Sequence, residues 1–336
     1  MDLRQLRYFI AIVEHGSFSQ AAAVLNIAQP ALSLHVRNME AELGTPLLHR
    51  GPKGVAPTDA GEILLRHARI ILDRMAIARE EIRGHDSDPA GLVRVGLPGT
   101  ISEILSVPLI VAARRRYPRI QLRIAESMSG FVTEWLQEAR IDLALIYRET
   151  PARNLSTVEM LTEELVLFAR SGDAERLGLP PEGRPVSFAR LAEIPLIVPG
   201  PTHGLRKLIN DLVAARQGRL TVAIEVDSYA NIKTLVEIGL GCSILPLNAV
   251  AAGVAAGTLR RWSIEPPAVR RSAFLAHAKD RPMTGAVAAI HRLIQEVLRD
   301  LLASGAWAGA LPPAAGTAII ATGRDGPAPD TGGRGA

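Results

Sequence analysis

The residues best placed to do chemistry lie in a helical stretch near the N-terminus. Leu32, Val36 and Met39 recur there at helical spacing, and Pro30, Ser33, Leu34 and Arg37 fall on the opposite side. Serine and arginine can hydrogen-bond base edges or phosphates, and a leucine can touch a thymine methyl. For Arg37 by itself, a solvated helix face is the competing explanation. A shorter helix precedes this one. It opens at Ser17-Phe18-Ser19-Gln20, the S-x-x-Q form of a capping box, and continues through Ala21-Ala22-Ala23-Val24-Leu25 to a turn at Asn26-Ile27-Ala28. A short helix, a tight turn and a second helix with one exposed face is the geometry that lays a recognition helix in a DNA major groove.

Other chemistries find little support. The chain has no GxSxG, HExxH or Walker A motif, and the Gly-Leu-Pro-Gly-Thr run at 96–100 is not GxGxxG, so an enzyme is not expected. Cys242 is the one cysteine, which leaves no intramolecular disulfide and no thiolate zinc site. It reads most simply as a small buried residue; redox sensing would need a second cysteine or an activating cation. No metal or cofactor is expected. The opening MDLRQLRYFIAIVEHG threads charges through its apolar residues and offers no small-residue cleavage site, so it does not read as a signal peptide. No uncharged apolar run reaches about 18 residues, the length of a membrane span. The expectation is a soluble cytoplasmic protein.

The elements that would position these groups follow from periodicity. Leu3, Leu6, Ile10 and Val13, with Tyr8, Phe9 and Ile12 beside them, predict a first helix. The third helix starts at Gln29-Pro30, carries the stripe Leu32, Val36, Met39 and Leu43, and stops at Gly44. Prolines and glycines from Thr45 to Pro57 predict a short ribbon with a tight tip. Thr58-Asp59-Ala60-Gly61 caps a long helix running to about Arg83. Along it Leu64, Ala68, Ile71, Met75, Ala78 and Ile82 are spaced 4, 3, 4, 3 and 4, a coiled-coil seam that suggests dimerisation. His85-Asp86-Ser87-Asp88-Pro89-Ala90-Gly91 reads as a linker.

From Leu92 the pattern becomes alternating strands and helices. Strands are expected at 92–97, 120–125, 141–146, 165–169, 196–198, 220–226, 242–245 and 272–278. Helices are expected near 101–115, 130–139, 204–216, 229–238, 247–256 and 284–302. Such βα alternation predicts mainly parallel sheets in two α/β lobes. Residues 303–336, rich in Gly, Ala and Pro, read as a disordered tail.

Charge alone names no partner. The 336 residues hold 38 Lys+Arg against 34 Asp+Glu, and only four of the basic residues are lysines. Residues 1–90, the part expected to touch DNA, carry 10 basic and 11 acidic side chains. Arg37, Arg50 and Lys53 would therefore share one face, with Glu40, Glu42 and Asp59 turned away. Arg114-Arg115-Arg116 and Arg270-Arg271 read as surface, interface or DNA-flanking charge.

The run SFSQAAAVLNIAQPALSLHVRNMEAELGTPLLHR followed by GVAPTDAG resembles the winged helix-turn-helix of the LysR-type transcriptional regulators. The SxSxAA, QPALS, MEAELG and TxAG elements occur in order over residues 1–61. The resemblance implies three parts: a DNA-binding domain over 1–60, a linker and dimerisation helix over 58–90, and a regulatory domain over 91–302. That last part resembles periplasmic binding proteins, with lobe I formed by 91–162 and 266–302, lobe II by 163–265, and two strands crossing between them. The resemblance assigns Gln29, Pro30, Ser33 and Arg37 to the recognition helix and Arg50 to the wing. Ser17, Ser19, Leu34 and Lys53 complete the expected DNA-contacting set. Leu34-His35 departs from the polar pair frequent in the family, and Pro52 would stiffen the wing tip.

The implied partners are double-stranded DNA at an interrupted inverted repeat, RNA polymerase, further copies in a homodimer or homotetramer, and a small, anionic metabolite between the lobes. Candidate ligand contacts are Thr100 and Ser102, then Ser127 and Ser129, Tyr147 and Arg148, and Thr202 and His203. Thr100 and Glu103 also form a capping box that needs no ligand. The segment Gly239-Leu240-Gly241-Cys242-Ser243-Ile244-Leu245-Pro246 matches a strand entry of the family. IAQPALS, GVAPTDAGEILLRHAR, GLPGTISEIL and IDLALIYRE further resemble the nitrogen assimilation control branch, in which activity is set by expression level without a dedicated effector.

Overall fold

Asp2 closes a capping box over α1 (Leu3–His15). Its carboxylate accepts from Gln5 N at 2.8 Å, and Gln5 Oε1 accepts from Asp2 N at 2.9 Å. The structure, a computed structural model, describes residues 1–52, 54–83, 89–147, 154–181, 183–266 and 268–313. Next come α2 (Phe18–Leu25), ended by Asn26 in the left-handed region, and α3 (Gln29–Leu43), ended by Gly44. Leu6, Phe9 and Ile12 of α1, Ala21 of α2, and Leu32, Val36 and Met39 of α3 share one core. The expected stripe on α3 ends at Met39, because Leu43 is exposed.

The wing is β1 (Leu48–Gly51) paired antiparallel with β2 (Gly54–Pro57). It docks on the corner between α1 and α2, where Val55 N donates to Gly16 O at 2.8 Å. Gly54 has φ +112°, and a Cβ there would sit 2.7 Å from Gly16 O, so this close approach requires glycine. The Thr-x-Ala-Gly run has a similar explanation. Thr58 Oγ1 donates to Pro46 O and accepts from Gly61 N, while a Cβ on Gly61 would lie 2.1 Å from Leu47 O.

The long helix α4 (Asp59–Arg83) departs from the expected seam. Leu64 and Ala68 are buried in this chain's own N-terminal core, so they are not free to face a second copy. Met75 and Ala78 are half-buried, and Ile71 and Ile82 are exposed.

The second half begins with β3 (Gly91–Pro98), α5 (Gly99–Arg116), β4 (Ile120–Ser127), α6 (Ser129–Gln137) and β5 (Leu143–Ile146). Then β6 (Leu155–Arg170) leads to α7 (Phe188–Glu193), β7 (Leu196–Val198), α8 (Gly204–Ala214), β8 (Val222–Glu225) and α9 (Tyr229–Glu237). The chain continues with β9 (Cys242–Pro246), α10 (Leu247–Ala255), β10 (Leu259–Ser263), β11 (Arg270–Ala278), α11 (Gly285–Ala303) and β12 (Ala310–Leu311). The strand order is β4-β3-β5-β11-β6-β9-β7-β8, with β10 and β12 also paired to β6.

β6 therefore belongs to both lobes. Its first part pairs with β11 of lobe I, and from Leu165 it pairs with β9 of lobe II. Sequence periodicity found only the second part, because Glu159, Glu163 and Glu164 interrupt the apolar run of the first. Lobe II holds one apolar core, and lobe I holds two, one on each face of its sheet.

The tail needs correction. Trp307 is buried in the lobe I core, and β12 pairs with Thr162 and Glu163 of β6, so residues 307–311 are part of the fold. The remainder of the expected tail, 314–336, lies outside the described residues.

Candidate DNA-reading face and inter-lobe cleft

Three fully buried residues, Leu32, Val36 and Met39, fix the rotation of α3 and leave Gln29, Pro30, Leu34 and Arg37 exposed, with Ser33 half-buried. The His35 ring lies 5.1 Å from that of Tyr8 and belongs to the packing. Of the unusual Leu34-His35 pair, only Leu34 (51% exposed) faces outward. Ser17 Oγ accepts from Gln20 N at 3.4 Å and thus caps α2, whereas Ser19 is exposed.

On the wing, the Arg50 guanidinium lies 4.9 Å from the Phe18 ring centroid and 3.4 Å from Glu40 Oε2. Glu40 Oε1 accepts from Leu47 N at 2.9 Å. Glu40 is therefore not turned away from the basic face; it holds the wing arginine in place. An exposed pair of this kind is worth about 0–1 kcal/mol, so Arg50 can exchange Glu40 for a phosphate at little cost. Glu42 pairs with the N-terminal amine at 2.7 Å. Lys53 lies outside the described residues.

The C-terminal ends of β3, β4, β5, β7 and β8 converge on a cavity of about 630 Å³ between the lobes. This is where open α/β sheets bind ligands. Four of the expected contacts line it: Ser127, Ser129, Tyr147 and His203. Neither α5 nor α6 has a side-chain cap, so their first-turn N–H groups face this end of the sheet.

Thr100 and Ser102 do not line the cavity. Thr100 is fully buried, with its hydroxyl 2.5 Å from Tyr147 Oη and accepting from Arg271 Nη2 at 3.1 Å. Ser102 Oγ lies 2.8 Å from Ser106 Oγ. Thr202 is exposed outside the cavity, and Arg148 lies outside the described residues. The expected Thr100–Glu103 capping box is also absent: the residue before α5 is Pro98, and Glu103 pairs with Lys233 of lobe II at 3.2 Å.

The floor of the cleft is a network that sequence reasoning missed. Arg271, expected at the surface, is buried. Its Nε donates to Glu163 Oε1 at 2.6 Å, and its guanidinium lies 3.4 Å from the Tyr147 ring centroid. Burial works against the Arg271 charge, but the Glu163 carboxylate 2.6 Å away outweighs it and holds its pKa above the ordinary arginine range. The Tyr147 and Tyr229 hydroxyls are pushed up by burial and stay protonated. From lobe II, Tyr229 Oη lies 3.1 Å from His203 Nε2, while His203 Nδ1 accepts from Leu205 N at 3.2 Å. The neutral imidazole therefore carries its proton on Nε2 and donates it to Tyr229. Glu126, Asp227, Lys207 and Arg270 add both signs of charge to the walls. Glu126 lies at the end of β4, Lys207 lies in the first turn of α8, Asp227 follows β8 and Arg270 opens β11, so their convergence was not legible in the sequence.

Cys242 is buried, which pushes its thiol up to about 12, so it stays protonated and unreactive. Among the described residues no group of three or more His, Cys, Asp or Glu could hold a metal ion, and no helix is long and apolar enough to cross a membrane.

Three imidazoles predict a pH response. Burial lowers the pKa of His203, His277 and His291; Arg271 adds to the effect at His203, Lys279 at His277, and His277 with Arg292 at His291. Each folded-state value lies below the unfolded one, so as pH falls the unfolded chain takes up protons first. Stability from these groups is complete well above the ordinary imidazole pKa of about 6.5 and is lost as pH falls through it. The urea midpoint of the full chain is expected to be lower at pH 6 than at pH 7.5. An unchanged midpoint would mean that the three rings are solvated.

Comparison with known proteins agrees with this architecture. Residues 3–62 match a family described as bacterial regulatory helix-turn-helix protein, lysR family, and residues 86–299 match the LysR substrate binding domain. The nitrogen assimilation regulatory protein nac of Escherichia coli (strain K12) is 33% identical over 263 residues, which cover 78% of this chain and 83% of that protein. Among solved structures, a full-length OxyR from Pseudomonas aeruginosa superposes with a TM-score of 0.73 at 22% identity, covering 89% of this chain and 95% of that one. Full-length CbnR complexed with its target DNA gives 0.58 at 22% identity, covering 88% and 100%.

Proposed function

The chain belongs to the LysR-type family of transcriptional regulators, and from that premise we propose that α3 reads operator DNA through Gln29, Pro30, Ser33, Leu34 and Arg37 while Arg50 holds the backbone. The observation that carries this reading is the division of α3 into a locked apolar side and an exposed polar side. A regulator of this kind acts in the cytoplasm, at promoters and through RNA polymerase. Two copies would present two recognition helices to an interrupted inverted repeat. The exposed Ile63, Ile71 and Ile82 of α4 suit contact with a second copy, in place of Leu64 and Ala68.

Footprinting on the chain's own upstream region tests the proposal. Protection is expected to exceed that on scrambled DNA at matched salt, and protection no better than the scrambled control would sink the idea. Arg37→Ala should weaken specific binding by about 1–3 kcal/mol in a titration. No loss would move the reading surface elsewhere.

For the cleft, the uncapped amides of α5 and α6 beside Ser127 and Ser129 support a small anionic effector. A second reading, regulation by expression level alone, is favoured by a specific observation: Thr100 and Arg271 are already satisfied by each other and by Tyr147 and Glu163. The likeness to nac is consistent with that reading. Transcription from the target promoter with protein freed of metabolites decides between them. Full activity supports the second reading, and activity that needs added metabolite supports the first.

A further inference from the structure

A second cavity, of about 440 Å³, lies where the N-terminal unit meets lobe I. Four arginines from different elements reach it: Arg69 of α4, Arg94 of β3, Arg123 of β4, and Arg140 just after α6. Arg94 and Arg123 occupy the same register on parallel neighbours, so two guanidinium-bearing side chains leave one sheet face side by side. Like charges so placed repel each other unless something of opposite sign sits between them.

Carboxylates match these arginines in number but do not reach every donor. Glu14 Oε1 accepts from both Arg69 Nη2 and Arg94 Nη2 at 3.2 Å, Glu62 lines the cavity, and Glu138 pairs with Arg140 at 3.6 Å. Asp142 is shared between Arg94 and Arg281. Arg69 is only 6% exposed, yet its Nε and Nη1 make no hydrogen bond among the described residues, and neither does Arg94 Nε. Donors buried without acceptors are costly, and charged ones most of all.

We propose that this junction binds a phosphate-bearing anion, held by Arg69, Arg94, Arg123 and Arg140, which fastens the DNA-reading unit to lobe I. The donors arrive from a helix, a sheet face and a loop. A tetrahedral anion offers acceptors in all three directions, whereas a carboxylate offers its two oxygens in one plane. The Trp135 ring lines the same cavity and lies 5.3 Å from the Arg140 guanidinium, which it holds at the rim. Free phosphate and a nucleoside monophosphate share the recognised chemistry.

Calorimetric titration of the full chain with inorganic phosphate, and separately with adenosine 5′-monophosphate, tests the site in chloride buffer of matched ionic strength. Saturable binding is expected, weakened about tenfold or more in Arg123→Gln/Arg140→Gln, which removes two charge-assisted contacts, and unchanged in Arg299→Gln, an exposed arginine of α11 that lines neither cavity. Tighter binding of the nucleotide identifies an ester as the ligand, and tighter binding of phosphate identifies the free anion. Both altered residues are exposed; should the double variant unfold, the single Arg123→Gln carries the comparison. The proposal fails if heats match the chloride control or if the arginine variant binds as well as the parent chain. It fails equally if the cleft variant Ser129→Ala loses binding, which would place the anion in the inter-lobe cleft.

Discussion

Glu163→Gln should destabilise the chain by about 3–5 kcal/mol, the cost of leaving a buried charge without its partner. Glu163 is fully buried, and its two oxygens are both used: Oε1 accepts from Arg271 Nε at 2.6 Å and Oε2 from Trp307 Nε1 at 3.3 Å. Glutamine keeps the shape but removes the charge, while Arg271 cannot discard its own proton in response. The loss should therefore appear as a lower denaturation midpoint for the full chain and a disturbed Tyr147 environment at the cleft floor. Replacing both partners by apolar residues of similar volume, as in Glu163→Leu/Arg271→Met, should recover most of the stability, because buried ion pairs are often no better than well-packed hydrophobic residues. A Glu163→Gln shift under about 1 kcal/mol would mean that water reaches the Arg271 guanidinium.

The history of that pair shows what sequence carried and what it did not. Periodicity found α3 and its apolar face because a surface helix announces its buried side through 3.6-residue spacing. It also placed Ser127, Ser129, Tyr147 and His203 at strand ends, where α/β topology puts ligand cavities. Glu163 and Arg271 gave no such signal. A charged residue in sequence looks like surface, and only a partner 108 positions away makes its burial tolerable. Thr100 is the complementary case: it sits at the expected turn, but its hydroxyl meets Tyr147 and Arg271 and it does not line the cavity. The seam on α4 misled at Leu64 and Ala68, since heptad spacing cannot tell whether a helix buries its stripe on a second copy or on its own domain.

Trp307→Ala should cost about 3–5 kcal/mol, although it lies beyond the last helix in a stretch of low sequence complexity. The indole is 2% exposed and fills the lobe I core beside α11. Its backbone is anchored as well: Trp307 N donates to Leu301 O, Ala310 N to Trp307 O, and Glu164 N to Gly309 O at 3.0 Å. The side chain thus contributes two separable quantities, apolar volume and the hydrogen bond to Glu163. Trp307→Phe keeps most of the first and deletes the second, so it should cost about 1.5–3 kcal/mol, the range for a bond to a charged acceptor. Because both residues touch one carboxylate, the two effects should not add. In Glu163→Gln/Trp307→Phe the combined loss should fall short of the sum by about 0.5–3 kcal/mol, as expected for residues in one network. Additive losses in guanidinium denaturation would separate Trp307 from the ion pair and leave it as packing alone.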